Sequence, residues 1–234
     1  MKEFLKGLAK EIDICLSENE INCFFEYKKL LKEWNEKINL TAITEDKDII
    51  IKHFIDSLTI NKYISSNSKV IDVGTGAGFP GIPIKVINKN IELTLLDSLN
   101  KRLLFLQTVR DSLDLSNVEF VHGRAEDFGV NPEYREKYDI ATARAVANLS
   151  VLAEYCLPFV KVGGAFVCMK GSNVEEINDA KKAIEKLGGN IEKIEKLFLP
   201  DINEERNIII IRKIKTTPKE FPRKAGTPSK KPIK

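Results

Sequence analysis

Apolar positions change their spacing part-way along the chain. From Lys2 to Lys62 they recur with a helical period. Phe4, Leu5, Leu8, Ile12 and Leu16 form one stripe, and Ile21, Phe24, Phe25, Tyr27, Leu30, Leu31, Trp34 and Ile38 form a second. Between the two, Ser17 with Glu20 three residues later predicts a capping box. The run Asn39-Leu40-Thr41-Ala42-Ile43-Thr44 interrupts the pattern, and Thr44 is expected to cap a third helix carrying Ile49, Ile50, Ile51, Phe54, Ile55 and Leu58. After the polar stretch Ser65-Ser66-Asn67-Ser68 the pattern shortens to strand-like segments. These fall at residues 69–73, 91–97, 117–121, 138–143, 164–170, 191–198 and 206–212, with helical segments at 99–109, 149–159 and 175–187. Gly188-Gly189 is a helix stop signal.

Strand and helix in alternation call for a mostly parallel sheet with helices on both faces. No helix-length segment separates the last two strands, so they are expected to pair antiparallel. The predicted fold is α/β: a Rossmann-like seven-stranded sheet of the methyltransferase type, mostly parallel with an antiparallel last strand, plus an N-terminal helical extension. The expected organisation is 1–64 helical, 65–214 cofactor-binding and 215–234 a basic tail.

The first strand leads into the stretch that carries the chemistry. Lys69-Val70-Ile71-Asp72-Val73 is followed by Gly74, Gly76, Gly78 and Gly81 before Ile82, Ile84, Val86 and Ile87 resume an apolar pattern. Glycine suits a backbone that must adopt positive φ or approach a ligand closely. A dinucleotide-type loop of this kind is a weak signal alone. A second strand ending in Asp97, 23 positions after Gly74, strengthens it, because a ribose-binding acid is expected at about that distance. The antiparallel closing pair separates this sheet from the ordinary nicotinamide-binding one and matches that of S-adenosylmethionine-dependent methyltransferases.

Composition narrows the setting. Hydrophobic residues make up 43% of the chain, an ordinary share for a soluble protein. No apolar run is of membrane-spanning length and the N-terminus lacks a signal-peptide pattern, so a cytoplasmic location and no membrane partner are expected. Cys15, Cys23, Cys156 and Cys168 have no paired spacing and the only histidines are His53 and His122, so no metal site is expected. The net charge of +3 is uneven: from Arg212 onward nine Lys/Arg face one acid, Glu220, giving +8 there and −5 elsewhere. A basic end on a mildly acidic body suggests an anionic partner such as RNA.

Several motifs together resemble one family. Asp72-Val-Gly-Thr-Gly-Ala-Gly-Phe-Pro-Gly-Ile-Pro, Trp34-Asn-Glu-Lys-Ile-Asn-Leu-Thr-Ala-Ile, His53-Phe-Ile-Asp-Ser-Leu and Pro222-Arg-Lys-Ala-Gly-Thr-Pro are similar to the bacterial RsmG family, also called glucose-inhibited division protein B. The resemblance runs from Leu30 to the C-terminus. It implies methylation of N7 of a specific guanine in small-subunit ribosomal RNA, with S-adenosyl-L-methionine as donor and ribosomal RNA or the ribosomal subunit as partner. The chain is expected to act as a monomer. Cofactor contacts are expected at Asp72, Gly74, Gly76, Gly78, Phe79, Asp97, Ser98, Leu99, Ala125, Glu126 and Arg144. Arg144 is also the candidate for positioning the acceptor, and Asn39, His53, Arg144, Arg223 and Lys224 are candidate RNA contacts.

The residues fit an acceptor that needs no activation. Guanine N7 has an in-plane lone pair and no proton, so positioning supplies most of the catalysis. The fourth strand ends Ala141-Thr142-Ala143-Arg144 and carries no amino-methylating Asn/Asp-Pro-Pro signature. Two other readings compete: a nicotinamide-dependent oxidoreductase, and an RNA-binding protein with a vestigial cofactor fold. Truncation at Lys215 is expected to weaken RNA binding and leave cofactor affinity nearly intact.

Overall fold

Ile208, Ile209, Ile210 and Ile211 are all buried, and they alternate between two cores. Ile208 and Ile210 pack with the N-terminal helices, while Ile209 and Ile211 pack on the opposite sheet face. A strand covered on both faces loses the polar alternation of a surface strand, which explains the unbroken apolar run. The computed structural model describes residues 1–144, 147–172 and 175–233. Its strands are β1 (Lys69–Val73), β2 (Glu92–Asp97), β3 (Val118–His122), β4 (Tyr138–Arg144), β5 (Val160–Lys170), β6 (Gly189–Phe198) and β7 (Glu205–Lys213).

They form one sheet in the order β3-β2-β1-β4-β5-β7-β6. The pairs β2–β3, β1–β2, β1–β4 and β4–β5 are parallel, and β7 runs antiparallel to both its neighbours. The last strand thus inserts between β5 and β6 rather than adding at the edge. The strand order reverses between β1 and β4, so a crevice opens at their carboxyl ends, where open α/β sheets bind ligands.

The helices of residues 2–11 and 18–38 belong to the same core as the sheet: Leu5, Phe24, Tyr27 and Leu31 cluster with Val70, Leu95 and Val167. Ser17 and Glu20 form the expected capping box. Thr44 does not cap the third helix. That helix begins at Asp46, whose carboxylate is gripped by Lys28 and Lys32. An acid in the first turn complements the helix dipole, which replaces the side-chain cap. The helix continues through a π-helical stretch, Ile49–Ile55, into Asp56–Leu58.

Residues 215–233 are not a loose tail. Phe221 is buried in the same core cluster as Tyr138 and Phe159, a contribution of about 2 kcal/mol by area. Arg135 donates to Thr217 O at 2.6 Å and to Phe221 O at 2.7 Å. Part of the basic charge from Arg212 onward is paired within the fold. Lys213 is buried against Leu157 O, Thr217 and Glu136, and burial lowers its pKa to about 8. Arg212 pairs with Glu192 and Arg223 with Glu154. Lys215, Lys219, Lys224, Lys230 and Lys231 remain exposed.

Candidate active site

The glycine loop is held from below and from the side. Gly74 N and Thr75 N donate to Leu96 O at 2.8 and 3.1 Å, which ties the loop to β2. Gly76, at φ 61°, donates its N–H to Asp97 Oδ2 at 2.9 Å. Leu99 N donates to the other oxygen, Oδ1, also at 2.9 Å. The carboxylate is therefore fixed between the tips of β1 and β2, with Arg102 3.4 Å away. Its remaining lone pairs face the crevice, since Asp97 lines the cavities on both sides of it.

Those cavities form two lobes that share Gly74, Asp97 and Ser98. The larger, about 540 Å³, is lined by Val73 and Leu96 on the strand tips, by Leu99 at the start of the helix after β2, and by Ala125, Glu126, Leu152, Tyr155, Gly226 and Ser229. Leu99 is unusually exposed for a leucine and offers a flat apolar face there. Ala125 and Glu126 open a short helical turn, whose first N–H groups have no intrahelical partner. An apolar slot with one acid and free backbone donors suits a nucleoside base. The second lobe, about 380 Å³, is lined by Thr41, His53, Thr75, Gly76, Ala77, Phe79, Arg102 and Arg144.

His53 and Arg144 organise that second lobe. Arg144 donates to Lys52 O at 2.7 Å and to His53 Nδ1 at 2.9 Å, with Asp56 Oδ2 at 3.2 Å. A guanidinium can only donate, so His53 Nδ1 must be the acceptor and Nε2 carries the proton. Nε2–H then donates to Thr41 Oγ1 at 2.8 Å. Burial, with the adjacent Arg144 charge, lowers the His53 pKa to about 3. The imidazole stacks on Phe79 with ring centres 4.4 Å apart, and the Arg144 guanidinium lies 5.0 Å from the same ring. Lys52 and His53 come from the π-helical stretch, a geometry frequent at functional sites.

The crevice gathers Gly74, Gly76, Phe79, Asp97, Ser98, Leu99, Ala125, Glu126, His53 and Arg144 from the expected set. Five others lie elsewhere. Asp72 is fully buried behind the loop, accepting from Thr75 Oγ1 at 2.7 Å and Gly81 N at 3.0 Å, so it braces the turn instead of facing a ligand. Burial raises its pKa to about 6. Gly78, at φ 93°, is required by packing: a Cβ there would stand 2.7 Å from Leu106 Cδ2 and from Tyr27 Oη. Asn39 is the left-handed C-cap of the 18–38 helix. Arg223 is committed to Glu154 through Nε and Nη2, at 2.9 and 2.6 Å, and is not a free phosphate contact. Lys224 is exposed.

Sequence reasoning missed Thr41, Arg102, Leu152, Tyr155, Gly226 and Ser229 as lining residues. Arg102 sits one helical turn beyond Asp97 and was legible in principle. Asp56 was also missed. It stands between two guanidiniums, with Arg144 Nη1 3.2 Å from Oδ2 and Arg206 Nε 3.3 Å from Oδ1.

A sheet reversing at β1/β4, an antiparallel β7, a glycine loop and a strand-end carboxylate define a Rossmann-like, S-adenosylmethionine-dependent methyltransferase. Solved structures agree on the fold. TYW2 of M. jannaschii, in complex with AdoMet, aligns over 69% of this chain and 76% of that one with a TM-score of 0.54 at 16% identity. TrmN from Thermus thermophilus aligns over 70% and 53% with a TM-score of 0.52 at 13% identity. Sequence relatives are far more similar. Ribosomal RNA small subunit methyltransferase G of Alkaliphilus oremlandii is 54% identical over 100% of this chain and 99% of its own length. That of Acetivibrio thermocellus is 55% identical over 100% and 97%. The model of the family GidB, rRNA small subunit methyltransferase G, matches residues 20–210, and the chain belongs to that family.

Proposed function

We propose that this chain transfers a methyl group from S-adenosyl-L-methionine to N7 of a specific guanine in small-subunit ribosomal RNA, using the two-lobed crevice at the tips of β1 and β2. The donor's nucleoside end suits the lobe of Asp97, Leu99, Ala125 and Glu126, and its amino-acid end the lobe of Gly76, Phe79 and Arg144. When bound, S-adenosylmethionine supplies a methyl group on a sulfonium sulfur, open to in-line attack. Asp97 would accept from the ribose hydroxyls while its own bonds to Gly76 and Leu99 prevent it from turning away.

One observation supports the choice of acceptor. Every titratable side chain lining the second lobe is committed: His53 uses both nitrogens, Asp97 holds Gly76 and Leu99 and would hold the ribose, Arg102 approaches Asp97, and Arg144 bridges Lys52, His53 and Asp56. A hydroxyl acceptor would need one of them as a base. A pyrimidine C5 acceptor would need a thiolate, yet Cys156 and Cys168 are buried in the core, where desolvation raises both pKa values, that of Cys168 to about 12. An acceptor with a free lone pair fits a site that offers positioning alone. Phe79, stacked by His53 and Tyr27, backs the wall of that lobe, and Arg144 gives it a cation for the acceptor's base or phosphate.

The exposed lysines at the C-terminal end suit a phosphate backbone. No described helix is long and apolar enough to cross a membrane, and most of the exposed large hydrophobics stand singly, Ile194 and Phe198 alone sharing a strand, β6; we read the protein as a cytoplasmic monomer. The test is methyl transfer from labelled donor to naked ribosomal RNA and to intact subunits. N7-methylguanine is then located by reduction and amine-induced strand scission. A label appearing at a pyrimidine or a ribose would refute the reading.

A further inference from the structure

The segment from Pro222 to Lys231 does more than close the fold. Its Gly226 and Ser229 form part of the wall of the larger lobe, which Leu99 also lines. Gly226, at φ 79°, donates its N–H to Glu126 Oε1 at 2.8 Å. Upstream, Arg223 binds Glu154 three times, through its backbone N at 2.8 Å, Nε at 2.9 Å and Nη2 at 2.6 Å. The Glu154 carboxylate is 1% exposed, so this is an internal anchor and not a surface pair. Glu154 lies on the helix Leu149–Cys156, which also supplies Leu152 and Tyr155 to the lobe. One helix therefore holds the strap and lines the cavity that the strap helps to enclose.

We propose that residues 222–231 are a cofactor-binding strap: they wall the adenine end of the nucleoside lobe, and Arg223 is a positioning residue that keeps Gly226 on Glu126. The inference rests on reading the crevice as the donor site. The ligand chemistry is that of an adenosine, a flat apolar ring with an exocyclic amine. Glu126 has one oxygen held by the strap and its other oxygen left to accept from that amine. Releasing the strap removes both the wall and the backbone donor that orients Glu126. Truncation at Lys215 then weakens donor affinity as well as RNA affinity, contrary to the expectation from charge. The exposed side chains of Lys224, Lys230 and Lys231 leave the outer surface of the strap available to a polyanion at the same time.

The test uses the full-length chain and two probes, S-adenosylhomocysteine and 5′-methylthioadenosine, which lacks the amino-acid part. Hydrogen exchange of the wild-type strap amides slows several-fold on adding either probe. Arg223→Ala binds both probes about tenfold more weakly, by the same factor, while its RNA affinity changes little. Strap exchange that is unchanged by either probe overturns the proposal, whether or not RNA protects the strap. Should Arg223→Ala fail to fold, the wild-type exchange measurement decides by itself. If the wild type binds neither probe, the donor-site reading itself falls, and the strap's role with it.

Discussion

Arg144 donates to the same nitrogen of His53, Nδ1, that a general base would need free, at 2.9 Å. The contact makes His53 a neutral orienting group and leaves Arg144 aimed into the lobe beside Phe79. It also determines how this site should respond to mutation and pH.

Replacing Arg144 by lysine keeps the charge but cannot serve Lys52 O, His53 and Asp56 together. Methyl transfer should fall on the order of 100-fold, with the donor affinity of the free protein reduced far less. Single-turnover rates set beside calorimetric donor titrations separate the two effects. A rate within a factor of two of wild type would remove Arg144 from the positioning role.

The folded-state pKa of His53 is lowered to about 3 from an ordinary 6.5. The unfolded chain therefore binds the extra proton between those values and the native state does not. Stability from this group is fully present above 6.5 and is lost as pH falls towards 3. Relative to His53→Gln, the wild type should lose about 3 kcal/mol between pH 7 and pH 4. Denaturant melts of both proteins across that range provide the check; parallel curves would mean that His53 is not held neutral.

Asp72 titrates with the opposite sign. Its folded pKa is raised to about 6 from 3.8. The native state binds the additional proton, so this group's stability is fully present below 3.8 and is lost as pH rises through 6. Asp72→Asn keeps an acceptor for Thr75 and Gly81 and should gain on the wild type by about 2–3 kcal/mol between pH 4 and pH 7. Melts of the pair over the same range test it, and a constant difference would contradict it.

Two glycines of one loop should fail in different ways. Gly78→Ala drives a methyl group into Leu106 and Tyr27 and should destabilise the fold by about 2–3 kcal/mol. At Gly76 the nearest obstacle to a Cβ is Gly74 O, 3.9 Å away. Gly76→Ala should lose only about 1 kcal/mol, from its positive φ, and should act chiefly on donor binding. Denaturation and donor titration of both variants separate packing from ligand contact.

The strands, the loop and Asp97 were legible because each depends on local spacing and on glycine's special backbone. The insertion of β7 between β5 and β6 was not, since a strand's pattern names its faces and not its neighbours. Asp72 and Asp97 both end apolar strands, yet Asp72 faces the turn behind the loop and Asp97 the crevice. Only the closed loop distinguishes them. Charge counting took Arg223 for a solvent-facing cation because its partner, Glu154, lies 69 residues away in the chain. Thr44 looked like a helix cap, but the Lys28 and Lys32 contacts that start the helix at Asp46 come from another helix.

The most direct measurement is a calorimetric titration of S-adenosylmethionine into the wild type and into Asp97→Ala, each first shown to be folded by circular dichroism. Micromolar binding by the wild type and affinity lower by about 100-fold or more in the variant is the predicted result, because the ribose loses a charged acceptor and the loop its tether. Equal affinity in the two proteins would contradict the assignment of the donor to this crevice.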